Sequence, residues 1–250
     1  MRKANSIFFV NYGVDITKGL TISSLALDLF HNKYYKNNIP LIANTLLYKD
    51  IKEAYYGGIT EVYKPYGENL FYYDVNSLYP YVALNPLPGL ECSRCVYMDS
   101  YVDINKLFGF FYCEISVKNI YLGLLPVITN KGNIYPEGKW EGWYFSEELK
   151  FAAKNGYDVK VLKGYNFNKE LDVFKDYVND IYGLKANPIN NSQKSIAKSL
   201  LNNLLGRFGI SLDKPITEVV RQKKFDTISS MYNDNYYKQT QWLINSQYVF

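Results

Sequence analysis

Histidine and cysteine are almost missing from this chain, and each scarcity closes off a class of function. There is one histidine, His31, and there are three cysteines. Three thiols are too few for a disulfide scaffold, which points to a reducing compartment. Cys92-Ser-Arg-Cys95 is a lone CxxC. With only Cys113 and His31 left to complete a tetrahedron, a zinc site is set aside. No apolar run reaches transmembrane length, and the stretch behind Arg2 and Lys3 is only Ile7 to Val10, too short for a signal peptide. The sequence therefore reads as soluble, uncleaved and without a membrane partner. Neither sign of charge dominates: 28 Lys and Arg against 24 Asp and Glu leave +4, too little to coat nucleic acid along the whole chain.

What is present is a foldable interior. A hydrophobic content of 48% over 250 residues supports one large domain or two small ones. Aromatics reach 17%, largely through 26 tyrosines. That fits flat stacking surfaces, but it fits an AT-rich coding sequence as well, and composition carries the greater weight. The charge is unevenly placed. Between Lys185 and Lys224 eight Lys and Arg face only Asp213 and Glu218, a local +6 that leaves about −2 for the remainder. This is a candidate phosphate-facing surface, or else a solvated basic helix and loop.

Phe71 to Pro80, FYYDVNSLYP, organises the rest. Aromatics running into an aspartate, a polar pair and an apolar-aromatic-proline step predict a buried strand that ends at Asp74 and breaks into a turn and helix. A carboxylate at a strand end can hold a divalent cation; equally, it can close an ordinary turn with Ser77 as helix cap. Upstream, Tyr55-Tyr56-Gly57-Gly58 pairs aromatics with glycines that allow close backbone approach and expose amides to anions, although a plain Gly-Gly turn has the same composition.

The third stretch is KSIAKSLLNNLLGRFG, Lys194 to Gly209, with Asn190 and Gln193 as a capping pair. At ~100° per residue, Lys194, Lys198, Asn202 and Leu205 share one side of a helix. Ala197, Leu200, Leu201, Leu204 and Phe208 gather on another. Two lysines one turn apart repel unless an anion lies between them, which suits a polyphosphate; an amphipathic surface helix is the plainer alternative.

Elsewhere, Ile22 to Phe30 has helical spacing with Ser23 or Ser24 as a start signal, and no chemistry is found before residue 50. Gly109 to Val117 alternates as a strand, with Leu122 to Thr129 expected to pair with it. Trp140 and Trp143 read as core. Ser146 is a candidate helix cap, with Glu147 and Glu148 in the first turn and Gly156 closing the helix.

DVNSLYP resembles motif A of the family B DNA polymerases, and its Asn-Ser pair most resembles the protein-primed branch, which includes enzymes of linear mitochondrial plasmids, phages and adenoviruses. Tyr55 to Gly58 matches that branch's YxGG motif in position. The Lys194 to Gly209 segment is similar to motif B, with Lys198, Asn202, Leu205 and Gly206 as counterparts. Leu205 stands where a tyrosine is expected. The three motifs occur in the family's order.

The resemblance implies an α+β fold of right-hand type: a palm β-sheet carrying Asp74, and a helical fingers element. It is incomplete, since no Asp-Thr-Asp string of motif C follows. Asp226 and Asp234 are the nearest carboxylates, and neither an exonuclease domain nor a thumb is evident. The implied division is a linker remnant at 1–50, palm with motif A at 51–120, an insertion at 121–170 of the kind that in the family contacts a terminal protein primer, fingers at 171–209 and a truncated tail at 210–250.

The implied activity is DNA-directed nucleotidyl transfer from dNTPs to a primer or protein hydroxyl on a DNA template, in replication of a linear plasmid or organellar DNA. Two Mg²⁺ ions would be held by Asp74 and the Val75 carbonyl. Ser77, Leu78, Tyr79, Lys185, Lys194, Lys198 and Asn202 would bind nucleotide. Tyr56, Gly57, Gly58, Leu205, Gly206 and Arg207 would bind DNA. The implied location is the mitochondrion, with the cytoplasm as alternative. The competing readings are a catalytically inactive remnant that binds only DNA or nucleotide, favoured by the absent motif C, and an unrelated interaction protein with chance matches.

Overall fold

The computed structural model describes residues 13–19, 21–97 and 102–210, together with Asn5, residues 9–10 and three short strands between 220 and 249. Met1–Phe208 forms one compact unit and Gly209–Phe250 a second. The first mixes helices with an antiparallel sheet, the expected α+β class.

Its helical core is built on the first helix and the last two. Helix α1, Ile22–Lys33, starts at Thr21, whose side chain accepts from the Ser24 amide in a reciprocal capping box. The cap thus falls just before the serines, and the Ser23 hydroxyl instead donates to Asn203 Oδ1 at 2.8 Å. Helix α2, Thr45–Glu53, is capped by Asn44, and α3, Leu78–Val82, is a single turn that buries Pro80. Further on, α5, Lys175–Ala186, and α6, Asn191–Phe208, form an antiparallel pair that packs on α1. Ala26, Leu29 and Phe30 of α1 are fully buried among Tyr177, Ile181, Ala197, Leu200, Leu201 and Leu204. The Phe30 ring lies 5.2 Å from Phe174 and 6.0 Å from Tyr177.

Polar ties reinforce this core. Lys36 pairs with Asp176 at 2.7 Å, Tyr34 donates to Asp180 at 3.0 Å, and the Tyr177 hydroxyl donates to the Leu200 carbonyl at 3.0 Å. A segment expected to be a linker remnant therefore supplies a full helix to the α5–α6 pair. Its apolar stripe has too few residues to announce which partner it meets.

The sheet runs β1–β6–β2–β5, antiparallel throughout. Its strands are β1, Leu87–Val96; β2, Gly109–Val117; β5, Gly138–Phe145; and β6, Asp158–Glu170. A separate hairpin joins β3, Val127–Thr129, to β4, Gly132–Ile134. The β2 strand has the expected bounds, but its partners are β5 and β6; residues 127–129 pair with β4 instead. Because β1 and β2 share the sheet with β5 and β6, the sheet runs across residue 120, where the sequence places a division.

Phe111, Cys113 and Ile115 point from β2 into an apolar layer closed by α4, Ser146–Lys154, and by Leu107, Leu125 and Tyr157. Each such aromatic or aliphatic side chain contributes roughly 1.5–3 kcal/mol by leaving water. On the other face, α2 covers Phe108, Trp143, Tyr165 and Phe167, and Tyr165 donates to Asp50 at 2.7 Å. Trp143 is core, as expected, and Trp140 is half-buried, donating to Tyr144. Ser146 does not cap α4. Its buried hydroxyl accepts from the Gly109 amide at 3.1 Å, and the cap position falls on Phe145. Gly156 closes that helix in the left-handed region, with φ of 88°.

In the second unit, β7, Val220–Arg221, and β8, Leu243–Asn245, flank β9, Tyr248–Val249. Asp213, Glu218, Lys224, Asp226 and Asp234 lie outside the described residues.

Candidate nucleotide and nucleic-acid site

The expected strand before Asp74 is not formed. Leu70 to Val75 takes no regular secondary structure and pairs with no described residue, and Leu70, Phe71, Tyr72, Tyr73 and Val75 are all exposed. A strand needs a neighbour to satisfy its amides and cover its side chains, and none of the described elements supplies one. The turn and helix that follow are as expected. Ser77 occupies the left-handed region, with φ of 56°, and its side chain makes no capping bond to α3. Its hydroxyl is engaged elsewhere: Lys185 Nζ, from α5, donates to Ser77 Oγ. The Lys185 ammonium also lies 5.5 Å from the Tyr182 ring centroid.

This contact joins residues 108 positions apart and ties the motif A turn to the helix pair. Packing does the same, since α3 rests on α6. Leu78 and Tyr79 stay open to solvent, Tyr79 by 70%. The tyrosine ring is thus available to a ligand beside α3 rather than buried ahead of Pro80.

Helix α6 separates its two faces as its periodicity predicts. Ala197, Leu200, Leu201 and Leu204 are buried, while Lys194, Lys198 and Asn202 are exposed and Leu205 is half-buried. Gln193 donates its amide to Asn190 Oδ1 at 2.8 Å, and Gln193 Oε1 accepts from the Ile189 amide at 2.6 Å, completing the helix start. Among the described residues neither Lys194 nor Lys198 has a carboxylate partner. Gly206 and Arg207 are exposed, and a methyl group on Gly206 would meet open space. Lys194 and Lys198, one turn apart, thus form a basic strip along one side of α6.

Tyr56 behaves differently from a free template contact. Its hydroxyl donates to the Trp143 carbonyl at 3.0 Å and its ring stacks 5.6 Å from Tyr144. Burial, followed by the neighbouring Tyr144, raises its pKa. Tyr55 is the exposed member of the pair, at 66%. The alternation of a two-residue step gives no sequence signal for which ring faces out. Gly57 and Gly58 are exposed and beyond them the chain runs as coil to Asp74.

Among the described residues no three His, Cys, Asp or Glu side chains converge. Mg²⁺ takes one or two carboxylates and draws its remaining ligands from water and substrate phosphates, so a single aspartate with a neighbouring carbonyl is compatible with it.

The family of DNA polymerase type B, organellar and viral, matches residues 1–249, and the chain belongs to it. It is 52% identical over 223 residues to a probable DNA polymerase of Podospora anserina, spanning 88% of this chain and 18% of that protein. A probable DNA polymerase of Neurospora intermedia is 34% identical over 235 residues, at 88% and 24%. The fold is similar to phi29 DNA polymerase in its orthorhombic crystal form, with a TM-score of 0.64 at 23% identity, covering 82% of this chain and 38% of that one. It is also similar to phi29 DNA polymerase complexed with primer-template DNA, with a TM-score of 0.61 at 25% identity, covering 87% and 40%. The chain thus spans about a fifth of the length of these fungal relatives.

Proposed function

We propose that this chain carries the nucleotide-binding and template-binding part of a DNA-directed DNA polymerase. The observation that carries the reading is the Lys185–Ser77 bond, which sets the motif A turn against a helix pair whose Lys194 and Lys198 have no carboxylate partner among the described residues. In this reading Ser77, Leu78 and Tyr79 line the sugar and triphosphate. Lys185, Lys194, Lys198 and Asn202 neutralise and orient the phosphates. Asp74 and the Val75 carbonyl hold Mg²⁺, which supplies charge stabilisation when bound. Gly57, Gly58, Leu205, Gly206 and Arg207 meet DNA, with Tyr55 in place of Tyr56 as the ring that faces it.

The partners are a DNA template-primer, dNTPs and a terminal protein primer, in replication of a linear plasmid or organellar DNA, and the proposed compartment is the mitochondrion. No described helix is long and apolar enough to cross a membrane. The second reading, a binder without turnover, draws support from Asp74 being the sole carboxylate of its turn, with no converging partner among the described residues.

The test is ternary-complex formation on a primed DNA hairpin. The dNTP complementary to the next template base should slow dissociation of the DNA, and the three others should not. Equal effects of all four would refute the assignment. Primer extension beside an Asp74→Asn control then separates the two readings, since only a turnover-competent chain exceeds that control.

A further inference from the structure

Gly57 and Gly58 have no internal reason to be glycine. Neither has positive φ, and a methyl group on either would meet nothing within 4 Å. Two glycines in an exposed segment cost conformational entropy, so their remaining physical use is close approach by something outside the fold. Beside them lies a cleft of about 160 Å³, lined by Gly58, Ile59, Thr60, Glu61, Asn133 and Tyr135. Its far wall is the β3–β4 hairpin and the residue just after it.

The wall is built to stay in place. Gly123 packs its backbone so tightly on Tyr135 that a Cβ there would collide with the tyrosine's own Cβ. Asn133 is fixed in the hairpin register opposite Ile128. Among the described residues no hydrogen bond engages the side chains of Thr60, Glu61, Asn133 or Tyr135, so a hydroxyl, a carboxylate, an amide and a phenol converge with their polar capacity unspent. The volume is well below the ~300–1,000 Å³ of a cofactor pocket, which limits the occupant to one ring system. Glu61 disfavours a phosphate inside the cleft, whereas amino groups on a base edge suit both Glu61 and the Asn133 amide.

We propose that this cleft takes one unpaired nucleotide of a DNA strand: phosphate against the Gly57 and Gly58 amides, base against the Tyr135 ring, base edge on Asn133 and Glu61. The proposal rests on the reading of Gly57 and Gly58 as a DNA contact and adds the hairpin as the opposing jaw.

The test uses the whole chain, a mixed-sequence single-stranded oligonucleotide and an abasic strand of the same length, by fluorescence anisotropy. Tyr135→Leu should weaken binding of the base-bearing strand by roughly five- to a hundredfold, the range that base–aromatic stacking contributes. The abasic strand should bind it as it binds wild type. Tyr135→Phe, which keeps the ring, should stay within about twofold on both strands. Equal loss on both strands, or loss in the Phe variant equal to that in Leu, would overturn base capture by the hairpin while leaving the DNA-binding reading intact. No salt-dependent binding of either strand by wild type would overturn that reading itself, and with it the jaw.

Discussion

Replacing Lys185 with methionine removes the ammonium while keeping the length and apolar stem that half-bury it beside Tyr182. Two losses are separable. The bond to Ser77 is a single contact to a neutral hydroxyl, and a hydrogen bond with one charged partner contributes about 1.5–3 kcal/mol at most. If the same ammonium moves onto a triphosphate when nucleotide arrives, a charge-assisted bond of that size disappears from binding. At ~1.4 kcal/mol per tenfold, the dissociation constant for a dNTP should then rise roughly 10- to 150-fold.

Titration of dNTP into the purified chain with primed DNA, followed by fluorescence, reads that constant. Ser77→Ala supplies the control, because it breaks the intramolecular bond and leaves the ammonium free. Under the proposed role Ser77→Ala should change affinity by only a few fold, and the double variant should resemble Lys185→Met. Should Ser77→Ala reproduce the whole loss, Lys185 merely holds the motif A turn; unchanged affinity in Lys185→Met would remove it from the site altogether. The double-mutant cycle keeps these cases distinct.

Three further outcomes follow from the core. Phe30→Ala, at a fully buried ring among Phe174 and Tyr177, should cost about 3–5 kcal/mol and lower the urea midpoint of the unit containing residues 22–208. Tyr144→Phe removes a buried hydroxyl that donates to the Pro126 carbonyl at 2.8 Å and accepts from Trp140 Nε1 at 2.9 Å, and should cost about 1–3 kcal/mol by calorimetry, since the Trp140 donor is stranded. Burial pushes the Cys113 thiol up to about 12 from an ordinary 9.0. The unfolded thiol ionises first, so the unfolded state holds fewer protons across that interval and stability falls as pH rises from 9 towards 12. Urea midpoints measured across that range should decline, and less steeply in Cys113→Ala.

Local periodicity made part of this legible. The strand Gly109–Val117 alternates buried and half-buried positions along its length, and α6 separates its lysines from its leucines, because each pattern is decided within one element. Long-range geometry was not legible. The role of α1 depends on Phe30 meeting Phe174 and Tyr177 from a distant part of the chain. The strand before Asp74 carries the right residues but has no described neighbour to pair with, and a strand is a property of the pair. Ser146 has the residue type of a cap, yet the Gly109 amide claims its hydroxyl. Tyr56 and Tyr55 are identical letters with opposite fates: one is spent on Trp143 and Tyr144 and the other faces solvent.

The measurement that bears most directly on the central claim is the affinity of the chain of residues 1–250 for the complementary dNTP on a primed DNA hairpin, with and without Lys194 and Lys198. Both lysines are exposed and have no carboxylate partner among the described residues. A charge-assisted hydrogen bond contributes about 1.5–3 kcal/mol, so Lys194→Ala with Lys198→Ala should raise the dNTP dissociation constant by at least roughly tenfold for each lysine that meets phosphate, while affinity for the hairpin itself stays within a few fold. Unchanged dNTP affinity, or an equal loss on dNTP and on hairpin, would contradict the assignment of this face to the incoming triphosphate.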